Sequence, residues 1–166
     1  MLDPKIQAAL NDQIQHELGS WYLYLAMAAH FEAANLPGSA AWMRKQAADE
    51  LVHAMKVFNY INDRDGRVTL QAIPQPPVEF ASTVEVWKQA LGNEEKVSAV
   101  IGRILELAQK AGDHATAAML QWFVTEQVEE EKTARTILEQ VERLGPPSTA
   151  IYFLDRHLGK DAEKEE

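Results

Sequence analysis

The chain has 166 residues, 25 of them acidic and 16 basic, so its formal charge is −9, and it has no cysteine. Without thiols it cannot form a disulfide scaffold, a cysteine-ligated zinc site or an Fe–S cluster, and it has no thiol nucleophile. Its acidic balance argues against nucleic acid as a partner, because nucleic acid selects basic surfaces.

Hydrophobic residues make up 46% of the chain, enough for a sizeable core in one domain spanning 1–166. No apolar run approaches the roughly 20 residues of a membrane span. The first residues, Met1 to Lys5, do not read as a secretory signal. A cytoplasmic protein with no membrane partner is expected.

Five helices are predicted, and the fold class is all-α. Asp3 caps the first, with Pro4 at its first position. Apolar residues then recur at helical spacing (Ile6, Leu10, Ile14, Leu18, Trp21, Leu25, Ala28) to about residue 35, where Asn35, Leu36, Pro37 and Gly38 read as a turn. Ser39 is the predicted cap of a second helix, over about 39–64. Val68 to Ile73 reads as extended, and Pro74, Pro76 and Pro77 exclude a helix there. Ser82 or Thr83 caps a third helix to about 111, and Asp113 caps a fourth to about 144. Ser148 caps a short fifth, over about 149–158, and a charged, frayed tail follows.

The loops set the topology. Short connections make helices one and two, and three and four, antiparallel hairpins. The crossover between the second and third is long enough to run the length of a neighbouring helix, so those two helices can lie parallel. The result is a four-helix bundle with one long crossover and a short fifth helix.

The apolar seams of this bundle carry polar residues. The first reads Leu10, Ile14, Glu17, Trp21, Tyr24, Ala28. The second reads Met43, Ala47, Glu50, Ala54, Val57, Ile61, with His53 on the face of Glu50. The third reads Val84, Trp87, Leu91, Glu94, Ser98, Ile101, Leu105, Ala108. The fourth reads Leu120, Phe123, Gln127, Glu130, Ala134, Ile137, Val141, Leu144. A buried carboxylate costs several kcal/mol unless it is paired or metal-bound, and no Lys or Arg lies on the seams at that level. One such Glu reads as a misphased surface residue. Four at matched depth with one His point to metal, and oxygen ligands with one imidazole suit iron or manganese. A carboxylate-bridged pair of metals would use this set fully.

The sequence here resembles the ferritins, specifically the bacterial non-haem ferritins, over nearly its whole length. The resemblance rests on Ile14–Glu17, on Asp49, Glu50 and His53, on Glu94, on Leu120–Glu131, and on Ile151–Asp155 in the last helix. It implies a di-iron ferroxidase centre inside each subunit's bundle. Glu17, Glu50 and His53 would bind the first iron, with Glu50 bridging. Glu94 and Glu130 would bind the second, with Gln127 beside it. Tyr24 matches a family tyrosine near the centre that can supply an electron, although a core aromatic with a satisfied hydroxyl fits equally well. Asp49, Glu126 and Glu129 match a third iron site toward the inner cavity, with Asp49 standing where the family more usually has Glu. A solvated acidic face is the other reading of those three.

The resemblance further implies oxidation of Fe(II) by O₂ or hydrogen peroxide, mineral deposition, and a homo-oligomeric shell of 24 chains. Leu51 replaces the haem-ligating Met of bacterioferritins, so haem is not expected. Trp122, Met27, Met43, Met55 and Met119 read as packing residues. His16, His30 and His157 read as surface or interface residues. His114 falls near the family's three-fold channels, but Ala117 and Leu120 stand where animal ferritins carry channel carboxylates, which argues against iron entry there. Mid-helix Gly19 and Gly102 suggest close helix approach. Two other readings remain open from the residues alone: a di-metal oxidase of a small molecule, and a metal-free helical adaptor.

Overall fold

The computed structural model describes residues 2–145 and 149–164. Five helices follow one another: α1 (Pro4–Ala33), α2 (Pro37–Asp63), α3 (Thr83–Lys110), α4 (His114–Leu144) and α5 (Ala150–Lys164). Among the described residues there is no strand, and no helix is long and apolar enough to cross a membrane.

Three helix starts follow the sequence. The Asp3 carboxylate accepts from the Lys5 and Ile6 amides at 2.8 and 3.3 Å. Ser82 Oγ accepts from the Glu85 amide at 3.2 Å, and Asp113 accepts from the Thr116 amide at 3.0 Å. These side chains satisfy amides that a helix leaves unpaired in its first turn.

The start of α2 differs from expectation. The helix begins at Pro37, and its N-cap Leu36 contributes no side-chain bond. Ser39 therefore lies inside the first turn. Asp155 of α5 does the capping instead, accepting from the Gly38 and Ser39 amides at 3.0 and 2.7 Å and from Ser39 Oγ at 2.8 Å. That contact also explains why α5 continues to Lys164 rather than ending near residue 158. Docking on α2 buries Asp155, Leu158 and Ala162, and so orders a helix too short to persist alone. The predicted cap Ser148 lies outside the described residues.

The crossover runs beside α1. The Arg67 and Thr69 amides donate to Gln7 Oε1 and Asn11 Oδ1 at 2.9 and 2.7 Å, and Gln15 Nε2 donates to the Ala72 carbonyl at 2.6 Å. Contacts across the bundle fix the helix directions. Residues 24 and 31 of α1 meet residues 94 and 87 of α3, so this pair is antiparallel. Since α1 is also antiparallel to α2, α2 and α3 run parallel, as the loop lengths predicted.

The core falls into two apolar clusters. One gathers Tyr24, Met27, Phe31, Trp42, Met43, Trp87 and Val141. The other gathers Ile6, Leu10, Ile14, Val57, Ile61, Ile101, Leu120 and Phe123. In each helix the buried Glu17, Glu50, His53, Glu94 and Gln127 lie between the residues of the two clusters. Each fully buried large side chain contributes about 1.5–3 kcal/mol, so the two clusters hold the bundle shut around a polar middle. On α3 the buried stripe is Val86, Trp87, Ala90, Glu94, Val97, Ile101, Ile104 and Ala108. Val84, Leu91, Ser98 and Leu105 of the predicted seam flank it, partly exposed.

The glycines also correct the sequence reading. A Cβ added at Gly19 or Gly102 would meet nothing within 4 Å, so no close helix approach requires either. Gly38 is the position where approach does matter, because a Cβ there would sit 1.8 Å from the Asp155 carbonyl oxygen. Gly38→Ala is expected to undock α5 and cost about 1–3 kcal/mol in chemical denaturation, with new proteolytic cleavage in residues 150–164. Gly102→Ala is expected to raise stability by about 0.5–1 kcal/mol in the same assay.

Candidate metal centre

The polar middle is assembled from all four bundle helices. Glu17, Glu50 and His53 are fully buried, and one ligand atom from each lies within 4.8 Å of the other two. His53 Nδ1 is 3.6 Å from Glu50 Oε2. A second group of the same kind joins His53 to Glu126 and Glu130. His53 thus belongs to both groups and lies where the buried group meets the more open one.

Glu94 completes the middle from α3. Its Oε1 accepts a short hydrogen bond from the Tyr24 hydroxyl. Its Oε2 accepts from Gln127 Nε2 at 3.1 Å, and its main-chain carbonyl accepts from the same amide at 3.2 Å. Both carboxylate oxygens therefore have protein donors, and Glu94 joins neither three-residue group. Gln127 orients Glu94 and leaves its own amide oxygen available.

Two glutamines absent from the predicted set hold two of the remaining carboxylates. Gln13 Nε2 donates to Glu17 Oε1 at 2.7 Å, and Gln46 Nε2 donates to Glu130 Oε2 at 2.7 Å. Both are buried. Gln13 lies one turn before Glu17 on its own helix, and that spacing was the available signal. Gln46 offers no comparable one, because its partner lies across the bundle.

The electrostatics are those of crowded acids. Burial pushes the Glu17 carboxyl well above the usual range, and the nearby Glu50 charge adds to the effect. Burial likewise raises Glu50, with Glu94 and Glu130 adding repulsion. Glu130 is raised to about 7 by burial and by Glu94, against the lowering effects of Gln46 and His53. The Tyr24 phenol is pushed up by burial and by the Glu94 and Glu50 charges. Among the described residues, the buried side-chain atoms Gln13 Oε1, Glu17 Oε2 and His53 Nδ1 have no hydrogen-bond partner. Unpaired buried acceptors are rare and costly. Two of these atoms belong to the Glu17–Glu50–His53 group, where a cation would satisfy them.

From His53 and Glu130 a cleft of about 350 Å³ opens outward, lined also by Lys45, Asp49, Trp122, Glu126 and Glu129. The three residues matched to a third iron site thus share one cleft, but only Glu126 joins a three-residue group. Asp49 is paired with Lys45 at 2.7 Å, and Glu129 is exposed. Trp122 packs edge-on against His53 and Phe123, with the Lys56 ammonium over its ring.

The remaining candidates lie away from the centre. His16, His114 and His157 are exposed, and His30 is half-buried against Phe31 and Phe80. His157 pairs with Asp161 at 3.1 Å. Met27 and Met43 are core residues, whereas Met55 is exposed. Leu51 is exposed on α2, beside the centre but turned away from it.

The acids generate a signed pH dependence. Glu130 titrates near 7 when folded and near its ordinary value, 4.5, when unfolded. Between those values the native chain holds a proton that the unfolded chain has lost. The metal-free protein therefore loses stability as pH rises from 4.5 to 7. Glu130→Gln is expected to flatten that part of the stability–pH curve relative to wild type, measured by denaturant unfolding in chelator. Glu50→Gln removes a buried repelling charge and is expected to raise the metal-free Tm by several degrees, corresponding to about 1–2 kcal/mol.

A family model for a ferritin-like domain matches residues 7–144. The chain is 36% identical to a bacterial non-heme ferritin of Staphylococcus aureus strain USA300 and 37% identical to that of Staphylococcus haemolyticus strain JCSC1435, over 100% of both chains in each case. Among solved structures, an open-pore ferritin from the hyperthermophilic archaeon Archaeoglobus fulgidus superposes with a TM-score of 0.94 at 41% identity. That match covers 96% of this chain and 98% of the archaeal one.

Proposed function

The chain belongs to the ferritin family, and from that premise we propose that it stores and detoxifies iron in the cytoplasm. Fe(II) is the substrate. A pair of irons binds among Glu17, Glu50, His53, Glu94 and Glu130, with Gln127 beside the second and Glu50 between the two. Each iron gives one electron to O₂, which leaves as hydrogen peroxide after taking up two protons. Peroxide as oxidant takes the same two electrons and two protons and leaves as water. The Fe(III) product then moves on to a mineral inside a homo-oligomeric shell of 24 chains.

The observation that carries this reading is the buried Glu17–Glu50–His53 group, two of whose ligand atoms make no hydrogen bond. Anionic oxygen ligands gain more from Fe(III) than from Fe(II), so the donor set favours the oxidised product. Buried acids that hold protons when no cation is present release them as iron binds. Tyr24 donates its hydroxyl to Glu94. That hydrogen bond fixes the carboxylate for the second iron. Release of iron is favoured by the single imidazole and by an acidic cleft leading outward. That acidic lining suits a departing cation, where an apolar substrate of a small-molecule oxidase would want an apolar one.

Glu50→Ala and His53→Ala are each expected to abolish the fast phase of aerobic Fe(II) oxidation in stopped-flow absorbance, a loss of at least about 10²-fold. Size exclusion of the same samples is expected to show an unchanged large particle. Oxidation by either variant at the wild-type rate would overturn the assignment.

A further inference from the structure

The three residues matched to a third iron site do not converge on one point in this structure, where only Glu126 joins a three-residue group. A tight cation site needs several oxygen ligands converging on one point, without a competing positive charge. Asp49 fails both conditions. Its Oδ2 is held by the Lys45 ammonium at 2.7 Å, and its carboxylate joins neither of the three-residue groups. Asp49 and Lys45 are both partly buried and line the same cleft as Glu126, Glu129, Glu130 and His53.

The arrangement has a chemical logic. Lys45 and Asp49 are one helical turn apart, and the shorter Asp side chain stays close to the helix where the ammonium reaches it. A Lys placed before its acid is the weaker order for stabilising an isolated helix, so helix stability alone does not account for the pair. Its effect falls on the cleft. The ammonium neutralises one of the acids, and it repels any divalent ion that would settle beside that acid. Screening is reduced there because the groups are partly buried.

We propose that Lys45 is a resident cation of this cleft, whose pairing with Asp49 keeps the cleft from retaining a third metal ion. Iron leaving the centre then passes Glu126 and Glu129 without being trapped. The proposal rests on the ferritin reading above and concerns Lys45, which that reading does not use.

The test counts bound metal, not activity. Zinc(II), inert to oxidation, is titrated into the intact assembled metal-free protein by isothermal calorimetry, with bound zinc also counted after gel filtration. Wild type is expected to saturate at the centre's own complement. Lys45→Met is expected to bind about one further ion per chain. Lys45→Arg, which keeps the charge, is expected to behave as wild type. Adding Asp49→Asn to Lys45→Met is expected to remove the gained ion. The proposal is overturned if wild type already holds an extra ion that Asp49→Asn removes. It is equally overturned if both Lys45→Met and Lys45→Gln fill the centre normally without a gain. Failure of the underlying reading looks different: zinc would then bind wild type no better than it binds Glu17→Gln or Glu50→Gln, and the proposal would fall with it.

Discussion

Glu17, Glu50 and Glu94 are carboxylates placed where water does not reach, and among the described residues no lysine or arginine is buried with them. Much of the structure can be understood as a response to that one electrostatic cost. Burial keeps Glu17 and Glu50 from ionising freely, neutral donors pin Glu17, Glu94 and Glu130, and two apolar clusters clamp the layer. The donors are amides and a phenol: Gln13 for Glu17, Gln46 for Glu130, Gln127 and Tyr24 for Glu94. Neutral donors orient a carboxylate without cancelling its charge. A lysine in the same place would stabilise the metal-free chain and compete with a metal ion.

The clamp explains why the fold needs its long crossover. Antiparallel α1 and α3 present Tyr24 to Glu94 and Phe31 to Trp87. A short loop from α2 could not return the chain to the far end of the bundle to begin α3 in that direction. The crossover is held along α1 by Gln7, Asn11 and Gln15. The same first helix therefore carries both an acid of the centre and the track for the loop.

The primary acids were legible in the sequence because their signal is local. Glu17, Glu50, His53 and Glu94 violate a helical apolar pattern at one depth, and pattern violations need no knowledge of partners. The end of α2 that receives α5 was not legible in that way. Ser39 looks like a cap, but the capping carboxylate is Asp155, 116 residues away, and no spacing rule links them. Gly38 carries the same lesson, since its need for a bare Cα comes from the α5 backbone crossing over it. Half of the α3 seam, including Trp87 and Glu94, was read correctly, but Leu91 and Leu105 look more core-like than Ala90 and Ile104, while geometry buries the latter pair. Gly19 and Gly102 illustrate the opposite error, a helix-weakening residue without a contact to justify it. The Lys45–Asp49 pair was visible as a spacing, but its meaning depends on the cleft it shares with Glu126 and Glu129.

The central claim is that the buried acids are kept for a pair of irons. Anomalous diffraction at the iron edge tests it most directly, on crystals of the assembled protein soaked anaerobically with Fe(II). The account predicts anomalous peaks between Glu17, Glu50 and His53 and between Glu94 and Glu130, with Glu50 bridging the two. A map with iron on surface acids alone, and none among these five residues, would contradict it.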